Sequence, residues 1–185
     1  MESLVVILVL GLVAFYGVGI YNGLVRSRQM AKEGWSGIDV QLKRRADLIP
    51  NLVETVKGYA GHERETLEQV TRMRTAAAGV PSGDVAGRAA AEGALSAAIG
   101  RLFAVAEAYP DLKANQNFSE LQASLETIEA ELQMARRYYN GAARDLNVKV
   151  ESFPSNLVAG WFRFEQMPFF EIENAADRQV PKVGF

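Results

Sequence analysis

The chain has 185 residues and a formal charge of −2, so no general nucleic-acid surface is indicated. It contains no cysteine and a single histidine. Disulfides, thiol nucleophiles, thiolate metal sites and any constellation needing two imidazoles are therefore excluded.

Residues Leu4 to Val25 form an almost wholly apolar run without a charged side chain. A run of about 20 such residues rises roughly 30 Å as a helix, the thickness of a bilayer's hydrocarbon core. Because that core holds no water, a helix is the open-ended structure that satisfies its backbone. The run predicts a transmembrane helix over 4–25, with 1–3 as an extracytoplasmic N-terminus. Only Glu2 and Ser3 follow the initial Met1, whereas Arg26, Arg28 and Lys32 come directly after the run. Positive charge favours the cytoplasmic side, so the downstream domain is expected in the cytoplasm and the N-terminus outside. A cleaved leader would carry basic residues ahead of the run and small residues after it, so this segment is expected to be retained. Gly19 and Gly23 are spaced as a small-xxx-small pair that lets two membrane helices approach; glycine is also simply common in such helices.

The next amphipathic segment extends from Met30 to about Ala78. Trp35, Leu42, Ile49, Val56 and Val70 share one heptad position, and Ile38, Leu52, Tyr59 and Met73 share the other. Arg45, Glu63 and Thr66 interrupt the stripe. Pro50 lies inside it and predicts a kink or break near Leu48-Ile49, because proline removes one backbone hydrogen bond. Gly34, Gly37, Gly58 and Gly61 each weaken a helix by about 1 kcal/mol relative to alanine where exposed. Gly79-Val80-Pro81-Ser82-Gly83-Asp84 is a turn, with Ser82 or Asp84 available to cap a helix running from Val85 to Ala108. That helix is alanine-rich early and carries Leu95, Ile99, Leu102, Phe103 and Ala106 later.

The clearest pattern follows. Asn117 and Glu120 are spaced as a capping pair. Phe118, Leu125, Leu132, Tyr139, Leu146 and Phe153 then fill one heptad position, and Leu121, Ile128, Ala135 and Ala142 the other, with Lys149 as a break. Long amphipathic helices joined by short loops predict an antiparallel bundle. The fold expectation is all-α: an N-terminal transmembrane helix, then an antiparallel bundle of long helices over 26–170. Beyond Pro154 a short helix from Ser155 or Asn156 to about Gly160 is expected. Leu157, Val158, Trp161, Phe162, Phe164, Met167, Phe169 and Phe170 crowd there, either as a cap on the bundle or as an exposed patch for a partner or membrane. Residues 171–185 form a polar C-terminal tail.

Little in the chain suggests chemistry. His62-Glu63 lacks the second histidine of a zinc protease motif, since position 66 is Thr66. Gly58-Tyr59-Ala60-Gly61 lacks the Lys-Ser/Thr of a phosphate loop. No catalytic residue, cofactor site or metal site is assigned, and the chain is expected not to be an enzyme. Arg45 falls on the inward stripe and would need a carboxylate there. Candidates are Asp39 and Asp47 nearby, or Glu126, Glu129 and Glu131 across the bundle. An ion-pair latch fixing helix register is one account; solvated surface charge is the other.

Several stretches resemble the LemA family of bacterial membrane proteins. They are Tyr21-Asn22-Gly23-Leu24-Val25 with Arg28; Trp35 through His62-Glu63, including Ile38-Asp39-Val40-Gln41-Leu42-Lys43-Arg44-Arg45 and Asp47-Leu48-Ile49-Pro50-Asn51-Leu52-Val53; Asn117-Phe118 with Leu121-Gln122; Ala135-Arg136-Arg137-Tyr138-Tyr139-Asn140; and Phe153-Pro154-Ser155-Asn156. The resemblance implies an N-terminal membrane helix, an all-α domain and no established catalytic residues. It also implies a bacterial cytoplasmic-membrane location and an envelope scaffold or adaptor, because the family includes a magnetosome protein and its genes often neighbour membrane proteases or TPM-domain proteins. Two roles are therefore expected. One is a non-enzymatic, single-pass scaffold that self-associates through the glycine pair and heptad stripes. The other is a regulatory adaptor for a membrane protein, docking through Arg44, Arg45, Asp47, His62 and Glu63. The bilayer and a second copy of the chain are the expected partners, with no nucleic acid.

Overall fold

The computed structural model describes residues 1–171, so the expected tail lies, from residue 172 onward, outside the described residues. Six helices follow one another: α1 Glu2–Lys57, α2 Arg64–Gly79, α3 Val85–Ala106, α4 Pro110–Lys113, α5 Gln116–Glu151 and α6 Ser155–Trp161. The all-α expectation holds for every regular element among the described residues.

The apolar run and the first amphipathic helix form one element. α1 continues through 56 residues, Pro50 included, without the break expected near Leu48-Ile49. Proline at position 50 has no N–H to offer the carbonyl of Ala46, four residues earlier. Arg74 on α2 takes that place, its Nε donating to the Ala46 oxygen at 2.8 Å. A backbone acceptor that would otherwise be orphaned inside a packed helix pair is thus satisfied by a side chain from the next helix. The helix ends instead at Gly58, where the Tyr59 and Ala60 amides tighten the last turn onto the Val56 carbonyl. The single segment expected from Met30 to Ala78 is therefore the second half of α1, a turn, and α2.

Arg74→Ala is expected to cost about 0.5–1.5 kcal/mol, the net worth of a hydrogen bond to the half-buried Ala46 carbonyl. In a Pro50→Ala background the new amide at position 50 can bond Ala46, so the cost should largely vanish. Denaturant titration of the four chains of this double-mutant cycle measures the coupling; equal costs in both backgrounds would contradict it.

The other helix ends follow local chemistry. Asp84 caps α3, its Oδ1 accepting from the Gly87 amide at 2.8 Å. Asn115, rather than Asn117, caps α5 by accepting from the Phe118 amide at 3.0 Å. Glu120, expected to close a capping box, accepts instead from the Gln116 side chain at 2.8 Å.

The chain divides into two compact units. One comprises Met1–Gly37 with Ala135–Phe169; the other comprises Ile38–Met134 with Phe170 and Glu171. In the first, α1 and α5 run antiparallel: Leu24 clusters with Leu146, and Gly34 lies against Tyr138 and Tyr139. A Cβ at Gly34 would stand 2.9 Å from the Tyr139 Cα, so the backbones approach at a distance only glycine permits. The Trp35 and Tyr139 rings meet at a tilt of 58°, centroids 5.6 Å apart, beside this crossing. The segment after α6 is strapped to α5 by Asn147, which donates to the Met167 carbonyl at 2.9 Å and accepts from its amide at 2.8 Å. Tyr139 adds a bond from its hydroxyl to the Pro168 carbonyl at 2.7 Å. Lys149, the break in the α5 stripe, donates to Ser27 Oγ at 2.7 Å.

α6 closes with a left-handed residue. The Phe164 amide returns to the Ala159 carbonyl at 2.9 Å and the Arg163 amide to Gly160 at 3.3 Å, with Arg163 at φ 55°. This position ordinarily takes glycine. Arg163→Gly is expected to raise unfolding free energy by about 0.5–1 kcal/mol, the left-handed strain relieved minus glycine's entropy cost. A lower melting temperature would contradict this.

In the second unit, Ile49, Leu52, Val56, Leu67, Val70, Leu95, Leu102, Leu112, Phe118 and Leu125 form a continuous core drawn from five helices. α2 and α3 pack as a hairpin, with Arg101 on α3 donating to Gln69 on α2 at 3.2 Å.

Candidate functional site

The inward phase of Arg45 puts a guanidinium into the interior of the second unit. Its side chain retains 3% of its accessible surface, as does that of Glu92 on α3. Arg45 Nη2 donates to Glu92 Oε2 at 2.5 Å and to the Glu92 carbonyl at 3.3 Å. Its Nη1 donates to Ser96 Oγ at 2.9 Å and to Glu129 Oε2 on α5 at 3.2 Å. The other Glu92 oxygen lies 3.3 Å from Arg88 Nε, and Arg88 Nη2 reaches Asp39 Oδ1 on α1, also at 3.3 Å. A chain of alternating charge thus runs Asp39, Arg88, Glu92, Arg45, Glu129 across α1, α3 and α5. Arg44, one residue earlier, faces outward to Glu131 and Gln41.

Of the carboxylates nominated from sequence, Glu129 pairs with Arg45 and Glu131 with Arg44, while Asp39 joins through Arg88. Glu92 and Ser96 were missed. The signal for Glu92 was present: Val85, Ala89, Glu92, Leu95, Ile99, Leu102 and Ala106 fall at spacings of three and four and are all buried.

Asp47 is exposed and lines an open groove of about 380 Å³ with Arg44, Leu48, Ser124, Thr127 and Ile128. His62 and Glu63 lie in the turn between α1 and α2, beyond the end of α1 and at least 12 residues of helix from Arg45, about 18 Å. Tyr109 donates to Glu63 Oε1 at 3.3 Å. Desolvation first, then the charge and hydrogen bond of Glu63, hold the Tyr109 phenol above its ordinary pKa. The five residues proposed as a docking face therefore divide among a buried network, an exposed groove and an interhelix turn.

Each oxygen of Glu92 faces a guanidinium and both terminal nitrogens of Arg45 meet acceptors, while the Nε atoms of Arg45 and Arg88 are buried without a hydrogen-bond partner among the described residues. Among the described residues no group of three His, Asp or Glu side chains converges to hold a metal ion. The network joins α1, α3 and α5, each of which contributes charged side chains to it.

The N-terminal half of α1 is of another kind. Its side chains from Leu4 to Val18 project without protein cover, and the helix is long and apolar enough to cross a membrane. α3 passes the same test of length and composition but supplies Leu95, Ile99 and Leu102 to the core. Gly19 and Gly23 have no atom within 4 Å of a built Cβ, leaving this face open.

The LemA family model matches residues 34–185. Magnetosome protein MamQ 2 of Paramagnetospirillum magneticum is 28% identical over 97% of this chain and 75% of its own length. Protein LemA of Metamycoplasma hominis is 29% identical over 83% of this chain and 69% of its own. Magnetosome protein MamQ of Magnetospirillum gryphiswaldense is 26% identical, with 97% and 75% covered. The matched region spans the Arg45 network, the Tyr139 crossing and the strap beyond α6, and the chain belongs to the LemA family.

Proposed function

We propose that this protein is a non-enzymatic, single-pass scaffold of the bacterial cytoplasmic membrane, N-terminus outside and helical domain in the cytoplasm, that self-associates. The observation that carries the reading is the bare apolar stretch of α1 from Leu4 to Val18. Exposing that surface to water would cost about 25 cal/mol per Å², and a bilayer removes the cost. The open glycine face at Gly19 and Gly23 supports pairing with a second copy. The likeness to proteins named for the magnetosome is in keeping with an envelope scaffold. Mass photometry of the full chain in mild detergent is expected to find dimers or larger species at micromolar concentration. A clean monomer would contradict self-association.

The adaptor reading draws on the exposed groove beside Arg44 and Asp47, which could seat part of a membrane protease or TPM-domain protein. Crosslinking in cells from a photoreactive residue at Asp47 separates the two. Capture of this chain alone favours the scaffold.

A further inference from the structure

We infer that α6 and the adjoining Phe162 lie in the membrane interface beside α1, with Leu157, Trp161 and Phe162 facing lipid. The inference rests on reading α1 as bilayer-spanning. Helix α6 carries no charged side chain. Its Val158 and Ala159 pack against Leu24 and Leu146. Leu157 and Trp161, four residues apart, stay 64% and 84% exposed, and Phe153 and Phe162 stay 79% and 54% exposed. A helix meeting water would place charged groups on that outer side; this one exposes Leu157, Gly160 and Trp161 there, with Asn156 as the polar member. Four large apolar side chains left uncovered between Phe153 and Phe162 mark a contact surface.

The position of the patch selects lipid as its occupant. Phe162 and Phe164 pack on Tyr21, with ring centroids at 4.7 and 5.8 Å. Residues 4–19 of α1, rising about 24 Å, precede the first covered side chains, Ile20 and Tyr21. A hydrocarbon core is about 30 Å thick, so roughly 6 Å remains, one turn of helix. That turn is the level at which the Phe162 ring touches α1. The patch is thus continuous with the lipid-facing stretch of the same helix. Tryptophan at such a boundary matches the interfacial preference of its ring, apolar at one end and hydrogen-bonding at the other. Arg163, next to Phe162 in sequence, and Arg26, directly after the apolar run of α1, are both exposed and available to phosphate groups.

The chain has two tryptophans, Trp35 and Trp161. A full-length Trp35→Phe variant in 3:1 phosphatidylcholine–phosphatidylglycerol vesicles therefore reports on Trp161 alone. Replacing the phosphatidylcholine with its acyl-dibrominated form is expected to lower emission at least twofold. Aqueous acrylamide should quench several-fold less than it quenches free tryptophan, and dilution to one chain per two thousand lipids should change neither result. Emission indifferent to bromine in chains that float with the vesicles would overturn the inference and leave the spanning reading standing. Shielding from both quenchers would overturn it in favour of a protein cover. Chains that fail to float would overturn both. Should Trp35→Phe not fold, Trp161→Phe in the native chain serves instead: bromine quenching of total emission should fall by half or more, and unchanged quenching would refute the inference.

Discussion

Arg45→Ala should cost about 3–5 kcal/mol of unfolding free energy, among the largest effects of any single change in the helical domain. The loss has little to do with the intrinsic strength of the ion pair. Removing the guanidinium leaves the Glu92 carboxylate buried with Arg88 as its remaining cation, and deprives Ser96 and Glu129 of a donor. A buried charge stripped of its partner pays its desolvation cost unrelieved. If that account is right, Arg45→Met combined with Glu92→Met should recover much of the loss, because the orphaned charge disappears with its partner. Denaturant titration of the single and double variants in detergent provides the comparison. A double variant no better than Arg45→Ala would show that the network's value lies elsewhere.

Leu132→Ala should cost about 2–5 kcal/mol, the transfer free energy of the lost methyl groups plus the cavity they leave. Leu132 has no exposed surface and sits in the α5 stripe with Leu125, Tyr139 and Leu146. Met134, two residues on, is 55% exposed. Its replacement by alanine should shift stability by no more than about 0.5 kcal/mol. Equal effects at 132 and 134 would mean that the heptad phase does not define the buried side of α5.

The legibility of the fold varied with the range of the interaction involved. The α5 stripe could be read directly because a helix repeats its face every few residues; Phe118, Leu125, Ile128, Leu132, Tyr139, Ala142 and Leu146 are all buried. The same phase put Arg45 inside and so demanded a carboxylate. Phase could not identify which carboxylate, because Glu92 comes from a helix whose alanine-rich surface gives little contrast between faces. Pro50 misled for the same reason of range. The missing N–H is visible locally, whereas the Arg74 Nε that compensates lies on another helix. The aromatic segment was a divided reading, and the structure divides it too: Phe164 and Phe170 are buried, while Trp161 and Phe162 are not. The absence of a second histidine had already removed the chemistry that His62-Glu63 seemed to offer.

The account depends most on α1 crossing a bilayer, and the lack of cysteine makes that directly measurable. Ser3→Cys and Ser124→Cys place single thiols at the N-terminus and on the exposed side of α5. With a membrane-impermeant maleimide on spheroplasts, the Ser3→Cys chain should label at once and the Ser124→Cys chain only after permeabilisation. The reverse pattern would contradict the orientation. Labelling of both before permeabilisation, or of neither, would contradict the span itself.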